Sequence, residues 1–149
     1  MIVIVDANIL IAFALTDEPL HSQAIRILSD WQAAKTHLAA PRLFRSEITA
    51  VVRKTVYQQR ITHEQGRILL SRLLSYPIEF FEDDALLEAA YELAFRFNRP
   101  RSYDTQYMAL AERLDCELWT ADEVLVNGTQ SKFDRIRWLG NFASSSEQT

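Results

Sequence analysis

Hydrophobic and polar positions follow one another along the chain in blocks that are typical of strands joined by helices. Five short apolar runs have the length and the β-branched or aromatic content of strands. No polar residue interrupts the first run, which is typical of a strand buried on both faces of a parallel sheet. The predicted strands are Ile2–Val5, His37–Ala40, Ile78–Phe81, Glu117–Thr120 and Ile136–Leu139.

Between these runs, apolar residues recur every three or four positions, which is the spacing of amphipathic helices. The longest such stripe begins at Phe44 and ends at Val56, and it predicts a helix from Arg42 to about Gln59, directly after Pro41. The segment THEQ has the form of a capping box, so another helix begins near it. Further helices are predicted over Leu20–Ala34, Ala85–Phe97, Tyr103–Leu114 and Glu123–Asn127.

Strands that alternate with helices indicate an α/β domain, with a mostly parallel central sheet flanked by helices. The 149 residues suffice for one domain with a sizeable core. We place this domain at residues 1–142 and expect residues 143–149, which are small and polar, to form a disordered tail. Helical spacing also places Ile68 and Leu87 among the side chains that pack inside.

Composition and charge narrow the class of protein only modestly. The 16 basic and 20 acidic residues leave a net charge of −4, which argues against a uniformly basic surface but allows a local nucleic-acid-binding patch. Cys116 is the single cysteine, so an intramolecular disulfide is impossible. The apolar start lacks a basic segment and contains Asp6 and Asn8, and no later run approaches the ~20 apolar residues of a membrane span. We therefore expect a cytoplasmic protein without a membrane association.

Two acids follow predicted strands. Asp6 comes directly after Val5, and Asp122 lies two residues beyond Thr120. Ligand sites in open α/β sheets lie outside the carboxyl ends of the strands, so both acids have the position of a ligand-binding residue. Each also has an ordinary alternative, because Asp is favoured in turns and as a helix cap.

Two further acids lie on or near packed helix faces. Glu47 is three residues after Phe44 and borders the apolar stripe, and Asp104 occupies the first turn of its helix on the packed side. A carboxylate is costly to desolvate unless it is paired or binds a metal. The alternatives for Glu47 are a side chain that reaches solvent from the edge of the stripe, or an ion pair with Arg53 or Lys54. The alternative for Asp104 is a favourable helix-dipole interaction.

The four acids together are stronger evidence for a metal site than any one of them alone. If they converge at one end of the sheet, their mutual repulsion raises their pKa values unless cations neutralise them. Ligation by oxygen alone suits Mg²⁺ or Mn²⁺ better than zinc, and one or two ions are expected. The candidate metal ligands and catalytic residues are Asp6, Glu47, Asp104 and Asp122.

Four short segments surround these acids: VDANIL, SEITAVVRK, YDTQYMALAE and LWTAD. Their order and content resemble the PIN-domain ribonucleases, especially the VapC-type toxins of type II toxin–antitoxin systems, from Ile2 to about Asn141. The resemblance implies a PIN-like three-layer sandwich and a metal-dependent endoribonuclease that acts on RNA. It also implies a cognate antitoxin as partner and a homodimer.

Position by position, the resemblance assigns the four acids to the metal site of this family. It gives Asn8 and Thr120 supporting roles behind the ligands, for which the alternative is local turn or cap hydrogen bonding. Many members of the family have a further acid shortly after the fourth. Here the corresponding region contains Glu123, adjacent to Asp122, and the uncharged Asn127, so the chain departs from the pattern at that point.

The chemistry expected of such a site is hydrolysis of phosphodiester bonds. One or two divalent ions can activate a water, neutralise the phosphate and stabilise the leaving oxygen. An acidic pocket repels RNA, so basic residues must flank it. Arg42 and Arg45 lie within about a turn of Glu47, and Arg99 and Arg101 immediately precede the third acid, which makes them candidates for phosphate contacts. The alternative for each is an ordinary solvated arginine.

Proteins of other classes fit less well. A haloacid-dehalogenase-like phosphatase needs an Asp-x-Asp arrangement, whereas Asp6 is followed by Ala7 and Asn8. A receiver-like signalling domain needs an early acidic pair and a late lysine, for which Lys132 is a poor candidate. A non-catalytic binding module that keeps the fold, with its acids serving as caps and ion pairs, stays open.

Overall fold

A sheet of parallel strands forms the centre of the computed structural model, which describes residues 1–143. The strands are β1 (Ile2–Val5), β2 (His37–Pro41), β3 (Glu79–Phe81), β4 (Glu117–Thr120) and β5 (Ile136–Trp138). They are arranged in the order β3-β2-β1-β4-β5, and each pair of neighbours is parallel. The prediction of an α/β domain with a parallel central sheet is confirmed.

Seven helices within residues 1–143 connect these strands. They are α1 (Ala7–Ala14), α2 (His21–Ala33), α3 (Leu43–Tyr57), α4 (His63–Leu74), α5 (Asp84–Arg96), α6 (Tyr103–Leu114) and α7 (Glu123–Thr129). Each predicted helix is present within a residue or two of its expected ends. Three strand boundaries differ, because Pro41 belongs to β2, β3 begins at Glu79 instead of Ile78, and Leu139 starts a 3-10 turn instead of ending β5.

Helix α1 was not predicted, and its sequence explains why. Its eight residues are ANILIAFA, so nearly every position is apolar and no polar face alternates with an apolar one. Five of the eight side chains are buried, because the helix packs against α2, α3 and β4. A helix that is apolar all round has no periodicity for sequence reasoning to detect.

The topology places a crevice at the end of β1. The chain adds β2 and β3 on one side of β1, and then returns to add β4 and β5 on the other side. Ile4 accordingly pairs with Ala39 of β2 and with Leu118 of β4. Such a reversal is the topological switch point at which α/β sheets open a binding crevice beyond their carboxyl ends. Asp6 and Asp122 both lie at this edge of the sheet.

The core confirms the apolar stripes with two exceptions. The β1 residues Val3, Ile4 and Val5 are buried, as expected of a central strand. Ile68 and Leu87, in contrast, were expected to pack inside and are exposed. On α5 the buried positions include Leu86, and Leu87 lies about 100° further round the helix, outside the stripe that meets the sheet.

Helices α3 and α4 approach each other closely at a glycine. A Cβ atom on Gly66 would lie 2.5 Å from Cγ2 of Val56, so a side chain at this position would force Val56 or one of the helices to shift. The predicted capping box at the start of α4 is present, with Thr62 and Gln65 each accepting a hydrogen bond from the other's backbone N–H. Within residues 1–143 no helix combines the length and apolar character needed to cross a membrane. The expected tail lies, from residue 144 onward, outside the described residues.

Candidate active site at the switch point of the sheet

Asp6 links the first strand to the first helix. It follows Val5 and is the N-cap of α1, with the backbone N–H of Asn8 lying 3.4 Å from its Oδ1. Its other oxygen, Oδ2, accepts a hydrogen bond of 3.0 Å from the hydroxyl of Thr120. Only 5% of Asp6 is exposed. The cap that sequence reasoning offered as an alternative is therefore present, and the carboxylate is also buried at the switch point.

Asn8 and Thr120 tie the ends of β1 and β4 together. The Thr120 hydroxyl, which is buried, accepts hydrogen bonds of 3.1 Å from Nδ2 of Asn8 and 3.1 Å from the backbone N–H of Asp122. The backbone N–H of Ala121 donates to Oδ1 of Asn8 at 2.9 Å. This network holds Asp6 and Asp122 beside each other across two neighbouring strands. The supporting positions predicted for Asn8 and Thr120 are consistent with these contacts.

Glu47 is held by a residue that the sequence did not single out. The hydroxyl of Tyr107 donates to Oε1 of Glu47 at 2.5 Å, and only 1% of Tyr107 is exposed. Within residues 1–143 the structure records no ion pair of Glu47 with Arg53 or Lys54, so that alternative for this acid is wrong, and the side chain is half-buried. Tyr107 lies three residues after Asp104 and therefore on the same side of α6, which was the only available signal of its position.

Asp104 and Asp122 complete the group from α6 and from the start of α7. Asp104 lies in the first turn of α6, where Nη2 of Arg99 is 3.8 Å from its Oδ2. Asp122 is the N-cap of α7, and its Oδ1 accepts a hydrogen bond of 3.1 Å from the backbone N–H of Leu125. Both acids thus have the local structural role that was considered as an alternative.

The carboxylates influence one another electrostatically. Burial, followed by the nearby charges of Glu47 and Asp104, raises the pKa of Asp6 from 3.8 to about 7. Burial also raises the pKa of Glu47, which the Tyr107 hydrogen bond opposes and the charge of Asp104 reinforces. The pKa of Asp104 is raised by burial and by Asp122, and lowered by Arg99. The four acids therefore form one electrostatically coupled group.

The donor set fits a divalent cation in its chemistry. The acids are oxygen ligands of like charge, and only Asp104 has a recorded cationic partner within residues 1–143. In the present side-chain positions, no three acidic, histidine or cysteine groups within those residues are close enough together to hold a metal ion. Glu47 and Asp122 instead make hydrogen bonds to Tyr107 and to the α7 backbone. A bound cation would offset the like charges of these acids.

The four candidate arginines differ in their surroundings. Arg99 lies beside Asp104, Arg42 is exposed at the N-cap of α3, and Arg101 is exposed in the loop before α6. Arg45 instead lies over the ring of Phe80 at 5.5 Å and donates to a backbone oxygen of α4 at 3.3 Å. The phosphate contacts of these arginines stay a prediction. Arg45 is the least free of the four to contact a phosphate, because its guanidinium already has these two partners.

Comparisons with known proteins agree with the fold and the site. A PIN domain family model matches residues 4–138. The VapC ribonuclease Mb0985 of Mycobacterium bovis is 30% identical over 120 residues, which cover 80% of this chain and 85% of that protein. Ribonuclease VapC9 of Mycobacterium tuberculosis matches with the same identity and coverage.

Solved structures share the same arrangement of strands and helices. A chain of VapBC2 from Rickettsia felis, in a complex with promoter DNA, has a TM-score of 0.65 at 15% identity and covers 93% of this chain and 97% of its own. VapC20 of M. tuberculosis, described as a toxin that cleaves the sarcin–ricin loop, has a TM-score of 0.63 at 15% identity, with 88% and 95% covered. The predicted PIN-like sandwich is confirmed, and the chain belongs to the PIN-domain family and is a relative of the VapC ribonucleases.

Proposed function

We propose that this protein is a divalent-metal-dependent endoribonuclease and the toxin of a VapBC-type pair. Membership of the PIN-domain family and the VapC ribonuclease relatives support the activity. The observation that carries the metal site is the electrostatic coupling of Asp6, Glu47, Asp104 and Asp122 at the switch point of a parallel sheet. The pKa values of Asp6, Glu47 and Asp104 are raised, so these three carboxylates need a nearby cation to be ionised together at neutral pH.

We assign the metal-binding role to all four acids, with Asp6 and Asp104 as direct ligands and Asp122 and Glu47 completing the site directly or through water. One or two Mg²⁺ or Mn²⁺ ions bound there would supply a more acidic water, neutralisation of the phosphate and stabilisation of the leaving oxygen. Asn8 and Thr120 keep Asp6 and Asp122 in register through their hydrogen bonds.

Glu47 has a further role in orienting the attacking water. Tyr107 occupies its Oε1, which leaves Oε2 to accept a hydrogen bond from that water. Arg99 and Arg101 adjoin Asp104 and would contact phosphates next to the scissile bond. Because water, and not the neighbouring 2′-hydroxyl, attacks the phosphorus, the products are expected to carry 5′-phosphate and 3′-hydroxyl ends.

The partners follow from the same proposal. RNA is the substrate, and an antitoxin protein binds the toxin and inhibits it, as the pairing in the VapBC2 complex suggests. We further expect a homodimer. The cytoplasmic location predicted from the sequence stays part of this proposal, because it is where RNA substrates and an antitoxin would be met.

The decisive experiment measures RNA cleavage by the purified protein. Cleavage is expected with Mg²⁺ or Mn²⁺, and we expect it to be lost in EDTA and in Asp104→Asn. Asp84→Asn is the matched control, because Asp84 also lies in the first turn of a helix but is exposed and outside the site. Added cation should also raise the midpoint of thermal unfolding in the wild type and in Asp84→Asn, but much less in Asp104→Asn.

Three results would contradict the proposal. Cleavage that survives both EDTA and Asp104→Asn would remove the metal site from the reaction. Products with 2′,3′-cyclic phosphate ends would exclude hydrolysis by water. RNA binding without cleavage under any metal condition would indicate a non-catalytic binding module with this fold.

A further inference from the structure

A pocket of about 380 Å³, which we call the side pocket, adjoins the acidic site on the side of Asn8 and Ala121. Its other walls come from α1, from the loop between α1 and α2, from the first turn of α7 and from β5. Most of the lining is apolar, and its charged members within residues 1–143 are Glu18 and Glu123. Ligand pockets are typically about 300–1,000 Å³ in volume, with apolar walls and a few polar groups, so the side pocket has the size and character of a ligand site.

The side pocket shares two residues with the hydrogen bonds that support the acids. Asn8 donates to the hydroxyl of Thr120 at 3.1 Å and accepts from the backbone N–H of Ala121 at 2.9 Å. Ala121 directly precedes Asp122, and the Thr120 hydroxyl donates to Asp6. A molecule in the side pocket would therefore lie beside the proposed metal ligands. When the scissile phosphate of an RNA is at the acids, a neighbouring nucleotide can place its base in this pocket.

Trp138 is the aromatic side chain of the pocket wall. A Cβ atom on Gly140 would lie 2.3, 2.4 and 2.5 Å from three atoms of its six-membered ring. Because these distances are nearly equal, the glycine lies over one face of the ring and not beyond its edge. The opposite face is the one left for a flat ligand to stack on. The buried indole N–H also has no hydrogen-bond partner recorded within residues 1–143, and a base carbonyl could accept from it after a small rotation of the ring.

The two carboxylates of the side pocket differ in their availability. Oε1 of Glu18 accepts a hydrogen bond of 3.1 Å from Arg60, so this acid already has a cationic partner. Glu123 is exposed in the first turn of α7, and within residues 1–143 the structure records no hydrogen bond or ion pair of its side chain. It is also the acid next to Asp122 at which the chain departs from the pattern of its family. Glu123 is therefore the carboxylate that is free to bind a ligand.

We propose that the side pocket binds a guanine base of the RNA next to the bond that is cut, with the base stacked on Trp138 and paired with Glu123. The two oxygens of a carboxylate accept two parallel hydrogen bonds, here from the N1–H and the N2 amino group of guanine. Adenine and cytosine place a ring-nitrogen lone pair beside their amino group, and uracil has carbonyls on both sides of its N–H. A carboxylate repels these acceptors. The inference rests on the proposed ribonuclease function and adds a base preference to it.

Other occupants fit the side pocket less well. A phosphate would be repelled by Glu18 and Glu123, and no basic residue lines the pocket within residues 1–143. The RNA backbone is therefore expected on the other side of the acids, near Arg99 and Arg101. An arginine side chain from a protein partner has a similar pair of N–H donors. A base is favoured over it, because the pocket adjoins the bonds that would be cut and has room for a bicyclic ring.

The first experiment measures RNA affinity in the inactive Asp104→Asn variant with Mg²⁺ present. The probes are short single-stranded RNAs of uridine with one central guanosine, inosine or adenosine. The guanosine RNA is expected to bind about 5- to 150-fold more tightly than the adenosine RNA, which is the effect of one bidentate contact. The inosine RNA should lie between the two, because it keeps the N1–H and lacks the N2 amino group. In the wild type, cleavage should occur next to guanosine.

The second experiment changes the base preference. Glu123→Gln presents one acceptor and one donor, which is the pattern that adenine matches. The preference of this variant should therefore move from guanosine to adenosine. Glu64→Gln is the matched control, because Glu64 is also exposed in the first turn of a helix, and it should leave the preference unchanged. A variant that had merely lost its fold would bind all three RNAs less tightly to the same extent.

Three outcomes would overturn the inference. The three RNAs could bind equally well, or Glu123→Gln could weaken all of them equally. Arginine amide could also bind the side pocket more tightly than guanosine does, as measured by NMR titration, which would assign the pocket to an arginine of a protein partner. Cleavage by the wild type without a preference for guanosine would leave the proposed function intact and remove only this inference. Specific guanosine binding without cleavage under any metal condition would do the reverse.

Discussion

Asp6 has two roles in the structure that place opposite demands on its carboxyl group. As the cap of α1 it should accept hydrogen bonds, which favours the ionised form. As a buried acid near Glu47 and Asp104 it should stay protonated, and this second influence prevails because its pKa is raised to about 7. The metal-free protein therefore keeps a destabilising charge at the end of its central strand whenever the pH exceeds that value.

The first prediction concerns the pH dependence of stability in EDTA. Because the pKa of Asp6 rises from 3.8 in the unfolded chain to about 7 on folding, the folded state binds more protons between these values. The contribution of Asp6 to stability is thus present at low pH and is lost as the pH rises, by roughly 4 kcal/mol in total. Urea unfolding across this range should show stability falling with pH.

Asp6→Asn removes the titration and keeps an oxygen acceptor. We expect this variant to show a flatter pH dependence and to be more stable than the wild type above pH 7 in EDTA, although it should not cleave RNA. Glu123→Gln, an exposed acid near the same edge of the sheet, is the control. Equal pH dependence in the wild type and Asp6→Asn would contradict the prediction.

The second prediction concerns Tyr107, which acts through Glu47. Tyr107→Phe removes a hydrogen bond of 2.5 Å but keeps the buried ring. Since that bond lowers the pKa of Glu47, its loss should raise the pKa and shift the acidic limb of the pH–rate profile to higher pH. We expect kcat to fall about tenfold with little change in KM, and stability to fall by about 1–3 kcal/mol. An unchanged pH profile would leave Tyr107 with a purely structural role.

The roles of single residues were only partly predictable, because an aspartate can serve either as a helix cap or as a metal ligand. The sequence could place Asp6 and Asp122 after strands, but capping and metal binding have the same local signature, and in the structure both acids are caps. The pairing of Glu47 with Tyr107 was not predictable, because a tyrosine on an apolar stripe is usually a packing residue. Its partner lies 60 positions away in the chain.

At the scale of helices and strands, the pair α3 and α4 shows how closely two elements can be matched. Gly66 lets α4 approach Val56 on α3, and Ala at this position would place its Cβ 2.5 Å from Cγ2 of that side chain. Contacts this short are absent from real structures, so the helices would have to separate. The benefit of Ala over Gly in a helix, about 1 kcal/mol, opposes this cost but is expected to be the smaller effect.

The third prediction uses a double-mutant cycle. Gly66→Ala should lower the free energy of unfolding by about 1–2 kcal/mol. In the Val56→Ala background the same substitution should instead be neutral or stabilising, because the clash is gone. Ser71→Ala, an exposed position on α4, is the control. Urea unfolding of the wild type, the two single variants and the double variant gives the coupling energy between positions 56 and 66. Additive effects would show that the helices do not meet at this point.

Elements were predictable where one face differs from the other. The helices α2 to α7 each combine apolar and polar positions in a regular pattern, and the strands stand out as short apolar runs, so the existence of both could be predicted. Helix α1 has no such contrast, because it is buried on most sides. Leu87 was misplaced for a related reason: it adjoins Leu86 in sequence, and only the direction in which α5 meets the sheet separates the two.

For the whole molecule, the net charge argues against RNA binding, whereas local groups of arginines allow it. The chain carries −4 overall and an acidic site, so RNA binding must depend on a few arginines near that site. Arg101 is exposed in a cleft between the end of α5 and the start of α6, whereas Arg45 is held against Phe80. These two residues therefore form a matched pair for testing which arginines contact phosphate.

The fourth prediction concerns the salt dependence of RNA affinity, measured in the inactive Asp104→Asn background. Arg101→Ala should weaken binding of single-stranded RNA and reduce the slope of log K against log salt by about 0.7, the value for one lost phosphate contact. Arg45→Ala should change the slope much less. The reverse order of the two effects would place the RNA on the α3–α4 side of the site.

The order of the strands in the sheet could not be predicted from the pattern of apolar and polar residues alone. Alternating strands and helices indicated a parallel α/β sheet, but they do not determine on which side of β1 each later strand is added. The resemblance of the four acidic segments to PIN domains implied a three-layer sandwich but was not used to predict the strand order. The physical reason is that the reversal between β3 and β4 depends on the packing of α5 and α6 as a pair.

The central place of β1 has a consequence for protein synthesis. Asp6 emerges from the ribosome early, but its hydrogen-bond partner Thr120 follows 114 residues later. At 5–20 residues per second, this delay is about 6–23 s. During that time the nascent chain lacks β4 and with it Asp122, so the acidic site is incomplete. Under the proposed role of the four acids, unfinished copies are therefore inactive, and an inhibitor needs to capture only chains whose synthesis is nearly complete.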